Sequence, residues 1–268
     1  MTQPQSLDAF ATALLGDHPH PGALYGIGVG PGDPGLLTVR GAALLQRLDV
    51  VAAPRRERGQ GIARSIVADL VETERLLELP SAMPANTDEI LEGWTARVAP
   101  LLAALHEGAS VGFVTDGDPL LYSTFVYAAT AVLQQRPATP VHVIAGVNAM
   151  SGAAAAARAP LALGAERLTV LPLARVDDDA LHAAVASSDV LVLLKAGRHH
   201  ERVNALTQTV ARGWSTQYVR RVGLDGEEVH DRLADAGDPD DYMSLVILRR
   251  NPIAALQVSS LLGSGDGR

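Results

Sequence analysis

Residues 23–35 read Ala-Leu-Tyr-Gly-Ile-Gly-Val-Gly-Pro-Gly-Asp-Pro-Gly. The first seven are apolar and β-prone, which predicts a buried strand. Gly30-Pro31-Gly32-Asp33-Pro34-Gly35 permits only a turn or loop, because the prolines fix φ and the glycines open conformations closed to other residues. Residues 36–48 then carry apolar side chains at helical spacing, with Thr38 near the start, and 49–54 (DVVAAP) read as a short buried strand. Strand, loop, helix and strand open an α/β unit, and that reading sets the fold class.

The alternation continues outward. Helices are predicted over 62–71 and 88–107, the second as one long amphipathic helix ended by Gly108. A strand at 110–114 (SVGFV) runs into Thr115-Asp116-Gly117-Asp118-Pro119, followed by a helix over 121–134. A strand at 141–144 leads through Ala145-Gly146-Val147-Asn148 into an alanine-rich helix over 149–158. One α/β domain is expected over 23–164. Further strands at 167–171, 190–194, 217–222 and 244–249, with helices at 179–187 and 201–212, predict a second, more mixed α/β domain over 165–251. Residues 1–22 and 252–268 read as a flexible extension and a flexible tail.

Composition narrows the function. The 268 residues carry 30 acidic and 22 basic side chains, a net charge of −8, so a broad positive field for nucleic acid is not expected. The absence of cysteine excludes a disulfide framework, thiolate-held zinc, iron–sulfur clusters and a thiol nucleophile. No apolar run approaches the ~20 residues of a membrane helix. Residues 1–21 hold no basic region followed by an apolar stretch, so export is not expected and a soluble, cytoplasmic protein is. Of the 22 basic residues 21 are arginine, and the one lysine is Lys195.

The strand-to-loop junctions carry the chemistry. The first resembles a dinucleotide fingerprint but lacks a third glycine opening a helix and an acidic residue after the second strand, which ends in Pro54. A phosphate-binding Gly-Lys-Ser/Thr is also absent. Taken alone, the loop is a tight turn. Asp116-Gly117-Asp118-Pro119 repeats its Gly-Asp-Pro element, however, and Ala145-Gly146-Val147-Asn148 forms a third such junction. Loops at the carboxyl ends of parallel strands converge on one crevice, where open α/β sheets bind ligands.

These segments resemble the tetrapyrrole methylases. The residues that carry the resemblance are Gly30-Pro-Gly-Asp-Pro-Gly-Leu-Leu-Thr38, Asp49-Val-Val-Ala-Ala-Pro54, Gly117-Asp-Pro-Leu-Leu-Tyr-Ser-Thr-Phe125, Leu194-Lys-Ala-Gly-Arg-His199 and Tyr242-Met-Ser-Leu-Val-Ile-Leu-Arg249, within about 23–250. The resemblance implies a two-domain α/β fold with a cofactor cleft between the domains, a homodimer, and S-adenosylmethionine as methyl donor, leaving S-adenosylhomocysteine. It is strongest to the branch that methylates precorrin-2 at C20, giving precorrin-3A for cobalamin. Carried over by position, Pro31, Gly117, Asp118, Leu121, Ser123, Thr124, Asn148, Ala149, Leu194 and Lys195 would bind the cofactor, many through backbone. The third loop departs from the family's Pro-Gly-Val-Thr/Ser-Ser. Arg220-Arg221-Val222-Gly223 stands where the family has an Arg-Ala-Thr stretch.

A substrate with eight carboxylates requires local basic clusters, which arginine serves by bidentate pairing. Three clusters qualify: Arg55-Arg56-x-Arg58 with Arg64, Arg198-His199-His200-x-Arg202, and Arg220-Arg221. The first is favoured because it follows a strand end, and Arg55, Arg56, Arg198 and His199 are expected to touch substrate. Taken singly, each cluster is equally well read as solvated surface charge. His199-His200 lacks a third ligand, so no metal is expected. Asp177-Asp178-Asp179 reads as a helix cap, and Asp118 as shaping its turn through backbone amides. No catalytic dyad stands out. Other tetrapyrrole substrates, among them cobalt-factor II, uroporphyrinogen III and later corrin intermediates, remain alternatives. So do a non-catalytic SAM- or nucleotide-binding protein and an NAD-dependent oxidoreductase.

Overall fold

Parallel strands buried on both faces need apolar side chains pointing both ways. The stretch around Leu24 supplies them. The computed structural model describes residues 19–55, 61–81, 87–235 and 243–251, and the chain divides into two units, 1–148 and 149–268. In the first, β1 (Leu24–Gly28), β2 (Val50–Arg55), β3 (Leu76–Pro80), β4 (Val111–Thr115) and β5 (Val141–Ile144) form a sheet in the order β3-β2-β4-β1-β5. Every pairing is parallel.

All five residues of β1 are buried. Leu24 packs with Trp94, Leu101, Phe113 and Phe125, while Tyr25 and Ile27 pack on the opposite face with Leu44, Leu48 and Val67. The first face is covered by α3 (Thr87–Arg97), α4 (Ala99–His106) and α5 (Phe125–Gln135), and the second by α1 (Val39–Leu45) and α2 (Ile62–Val67). Glycine on the strands lets these layers close. A Cβ on Gly26 would lie 2.4 Å from the Phe125 ring, and one on Gly112 would lie 2.6 Å from the Leu48 side chain. The helix after β1 and the helix after β4 thus cover opposite faces of adjacent strands, which places the switch point of the sheet at β1 and β4.

The boundaries differ from expectation where local chemistry intervenes. The long helix expected over 88–107 is two helices that meet at Val98, because Pro100 has no N–H for the carbonyl one turn back. The helix expected from 121 starts at Phe125. Tyr122 takes a left-handed φ of 52°, and the Phe125 amide donates to the Ser123 hydroxyl at 3.1 Å. Strand β3, unrecognised in the sequence, forms an edge, where its polar Glu78 is tolerated.

The second unit contains α6 (Ala149–Ala156), β6 (Leu168–Pro172), α7 (Asp178–Ser187), β7 (Val190–Leu194), α8 (His200–Gln208), β8 (Ser215–Arg220), β9 (Glu228–His230) and β10 (Ser244–Arg249). The sheet order is β6-β7-β10-β8-β9. Only β6 and β7 are parallel, so the sheet is mixed. The run VLVLL splits by period two. Val190 and Val192 pack with Ala153 of α6, and Leu191 and Leu193 pack with Leu181, Val203 and Leu206 of α7 and α8. Because α6 buries its small side chains on this sheet, the division falls after Asn148 rather than at the expected boundary near 164. The expected tail, 252–268, lies outside the described residues, as does the expected extension except for its last positions. No helix among the described residues is long and apolar enough to cross a membrane.

Candidate functional site

The glycine loops leave β1, β4 and β5 at the same end of the first sheet, since Gly28 pairs with Thr115 and Ile27 with Ile144. They touch through backbone. The Gly117 N–H donates to the Gly30 carbonyl at 2.8 Å, and the Val29 N–H donates to the Thr115 carbonyl at 3.1 Å. Gly30 and Gly117 take φ of 86° and 71°, a region that favours glycine. A Cβ on Gly28 would lie 2.5 Å from the Gly117 carbonyl oxygen, and one on Gly146 would lie 2.2 Å from the same atom. Only glycine allows three loops this close.

Asp118 ties the second loop to the third. Its Oδ2 accepts from the Gly146 N–H at 3.0 Å, and its Oδ1 accepts from the Leu120 N–H at 2.9 Å. This is the turn-shaping arrangement expected from the sequence. Asp33 serves the first loop in the same way, accepting from the Gly35 N–H at 2.7 Å. Pro31 is buried within that loop. Leu121 and Thr124 are half-buried, and Ser123 is buried. The Ser123 hydroxyl is hydrogen-bonded to the Thr115 hydroxyl at 2.9 Å and accepts from the Phe125 amide at the start of α5, so that hydroxyl holds the fold. Leu120 and Tyr122, which sequence reasoning passed over, are 64% and 50% exposed and give the second loop an apolar outer surface.

The three loops contain Asp33, Asp116 and Asp118 but no lysine, arginine or histidine. A phosphate would call for cations or a helix N-terminus. An acidic, glycine-walled loop cluster fits a neutral or cationic ligand instead.

The remaining candidates are spread over both units. Asn148 ends the third loop, and Ala149 opens α6 in the second unit. Leu194 ends β7, and Lys195 follows with φ 61°. There the Ala196 N–H donates to the Ser244 carbonyl, and the Gly197 N–H donates to the Ser244 hydroxyl at 2.7 Å. Arg55 stands at the carboxyl end of β2, 3.6 Å from the Glu78 carboxylate, which Arg64 also approaches at 2.7 Å. Arg56 and Arg58 lie outside the described residues. Arg198 is exposed on the short turn Gly197–His199 that precedes α8. Arg202, by contrast, pairs with Asp178 at 2.6 Å and donates to the Leu173 carbonyl, a structural role. Arg220 pairs with Glu228. Asp177 caps α7, accepting from the Ala180 N–H at 2.8 Å, as its position in the sequence implied. Among the described residues no group of three or more His, Asp or Glu is placed to hold a metal ion.

A switch-point crevice of glycine loops on a parallel sheet, followed by a mixed second sheet, defines an α/β ligand-binding enzyme architecture. The family profile of the Tetrapyrrole (Corrin/Porphyrin) Methylases matches residues 23–236. A precorrin-2 C(20)-methyltransferase from Sinorhizobium sp. is 30% identical over 237 residues, covering 85% of this chain and 95% of that protein. A cobalt-precorrin-2 C(20)-methyltransferase from Salmonella typhimurium is 32% identical, covering 85% of this chain and 97% of that protein. Among solved structures, uroporphyrin-III C-methyl transferase from Thermus thermophilus complexed with S-adenosylhomocysteine superposes with a TM-score of 0.60 at 21% identity, covering 85% of this chain and 97% of that one. The chain belongs to the tetrapyrrole methylases.

Proposed function

We propose that this chain is an S-adenosylmethionine-dependent C-methyltransferase that methylates precorrin-2 at C20 in cobalamin biosynthesis. The observation that carries the reading is the backbone contact of Gly28, Gly117 and Gly146, in loops free of basic side chains, in a chain whose curated relatives are named for this reaction. S-adenosylmethionine supplies an electrophilic methyl group on a sulfonium, whose positive charge suits the acidic loops. Pro31, Gly117, Asp118, Leu121, Ser123, Thr124, Asn148, Ala149, Leu194 and Lys195 are the residues proposed to hold it, Ser123 through its backbone because its hydroxyl is engaged.

The reduced tetrapyrrole has an electron-rich meso carbon, so the protein's task is to align donor and acceptor and exclude water. Alignment of this kind reaches effective molarities of ~10⁵ M or more. Arg55, Arg56, Arg198 and His199 are proposed to meet substrate carboxylates. Charge reversal at Arg55 and Arg56 is expected to weaken tetrapyrrole binding and leave S-adenosylhomocysteine binding intact. Unchanged tetrapyrrole affinity would remove these residues from the site. A homodimer in the cytoplasm completes the proposal, with the exposed Val126 and Leu133 of α5 and Val143 of β5 as apolar surface for the contact. Sedimentation tests it.

The two relatives differ in whether their substrate carries cobalt, which keeps the cobalt-bearing substrate as the second reading. Incubation with S-adenosylmethionine and either precorrin-2 or its cobalt form, followed by mass spectrometry, decides between them by which one gains a single methyl. If neither gains one, calorimetry with S-adenosylhomocysteine and with NAD separates a non-catalytic cofactor binder from an oxidoreductase.

A further inference from the structure

A pocket of about 160 Å³ opens on the α1 face of the first unit, beside the edge strand β5. His20, Tyr25, Arg40, Arg47 and His142 contribute its polar lining, and Leu44 is among its apolar residues. Tyr25 and His142 are register partners near the amino-terminal ends of β1 and β5, whereas the glycine loops leave those strands at their carboxyl ends. The pocket lies on the α1 face rather than in the glycine-loop cluster, although Ile144 at the carboxyl end of β5 also lines it.

Its side chains are ordered by one another. The His20 and His142 rings stack with centroids 5.4 Å apart, and Tyr25 and His142 stack at 4.8 Å. The Tyr25 hydroxyl accepts from the His20 backbone N–H at 2.8 Å, which fixes the chain entering β1. Nε2 of His142 is buried and has no hydrogen-bond partner among the described residues. A buried polar atom left unpaired is costly. Among the described residues that line the pocket there is no Asp or Glu. In a chain of net charge −8, two arginines beside one small cavity form a local positive field.

We propose that this pocket binds a compact oxyanion with two or more negative charges, either inorganic phosphate or a short dicarboxylate. A volume of about 160 Å³, below the ~300 Å³ at which drug-sized sites begin, suits a compact ligand. Arg40, exposed on α1, presents a guanidinium fork suited to two oxygens of one anion. The stacked His20 and His142 rings line the same pocket. Burial, then His20, then Arg40 lower the His142 pKa, and a bound anion opposes that shift.

The test is calorimetric titration of the full chain with inorganic phosphate and, separately, with succinate, in a buffer free of both. Wild type, Arg40→Gln and His142→Gln are compared. Saturable binding of either anion is expected, weakened roughly tenfold or more in each variant, with S-adenosylhomocysteine affinity unchanged. The anion that binds more tightly identifies the source. Absence of saturable heat with both anions, or equal affinity in wild type and Arg40→Gln, overturns the proposal. Arg40→Gln alters an exposed helical position, so it reports even if His142→Gln fails to fold.

Discussion

The carboxylate of Asp118 accepts the backbone N–H of Gly146 at 3.0 Å, a bond spanning 28 residues that joins the loop after β4 to the loop after β5. The other oxygen of Asp118 holds its own turn through the Leu120 amide. One side chain thus sets the distance between two loops of the candidate site.

Asp118→Ala is expected to lower stability by about 1–2 kcal/mol, since hydrogen bonds to a charged acceptor contribute ~1.5–3 kcal/mol each and water replaces part of them here. Affinity for S-adenosylhomocysteine should fall more steeply than stability, because the loops lose their spacing. Denaturant midpoints together with calorimetry check this. An affinity equal to wild type would show that the tether does not position the ligand.

Gly146→Ala places a methyl group 2.2 Å from the Gly117 carbonyl oxygen, a contact that backbone alone can relieve by moving. The expected outcome is a protein with wild-type circular dichroism, a lowered melting temperature and at least about tenfold weaker S-adenosylhomocysteine binding, in keeping with the ~1–3 kcal/mol cost of overpacking. Retention of full affinity would place the ligand away from this junction.

In the second unit the buried Arg249 donates to both oxygens of Glu166 at 2.6 Å and to the Pro160 carbonyl at 2.6 Å, while Glu166 also accepts the Leu163 amide. Removing the carboxylate leaves a buried guanidinium partly unpaired. Glu166→Ala should cost about 2–4 kcal/mol, and the double variant with Arg249→Met should cost less than the sum of the single changes. A chemical-denaturation cycle measures the coupling, and strict additivity would contradict it.

The Ser110 hydroxyl and amide donate to Asp49 at 2.7 and 2.8 Å and hold its carboxyl below the usual range, helped by Arg75. The bond from Arg249 does the same for Glu166. A folded-state pKa below the unfolded one adds stability that is fully present above the unfolded value and is lost as pH falls through the folded value. Melting temperature should therefore hold above about pH 5 and decline below about pH 4. Asp49→Asn should flatten that decline, and an unchanged acid limb would show that Asp49 does not contribute to it.

Much of this was readable in the chain. Val-Leu-Val-Leu-Leu at 190–194 and the residues from Leu24 carry their strand character in every position, and Asp177 announces the start of its helix. Strand β3 was not readable, because Leu-Leu-Glu-Leu-Pro has the mixed polarity of an edge strand and becomes a strand only by pairing with β2. The break at Val98 was overlooked although Pro100 signals it. The bond between the Ser123 and Thr115 hydroxyls is not readable either, since nothing local reveals that the two lie within hydrogen-bonding distance.

The sequence by itself determined where the chain turns and which segments alternate between strand and helix, because glycine, proline and apolar period act through local φ, ψ and burial preference. It also determined the acidic, cysteine-free character of the glycine loops. Only the tertiary structure decided that β1 sits between β4 and β5, and that order brings Gly28, Gly117 and Gly146 into backbone contact and sets His142 against Tyr25. Strand order is settled by which faces the helices cover. That depends on the packing of residues a hundred positions apart, which no local preference encodes.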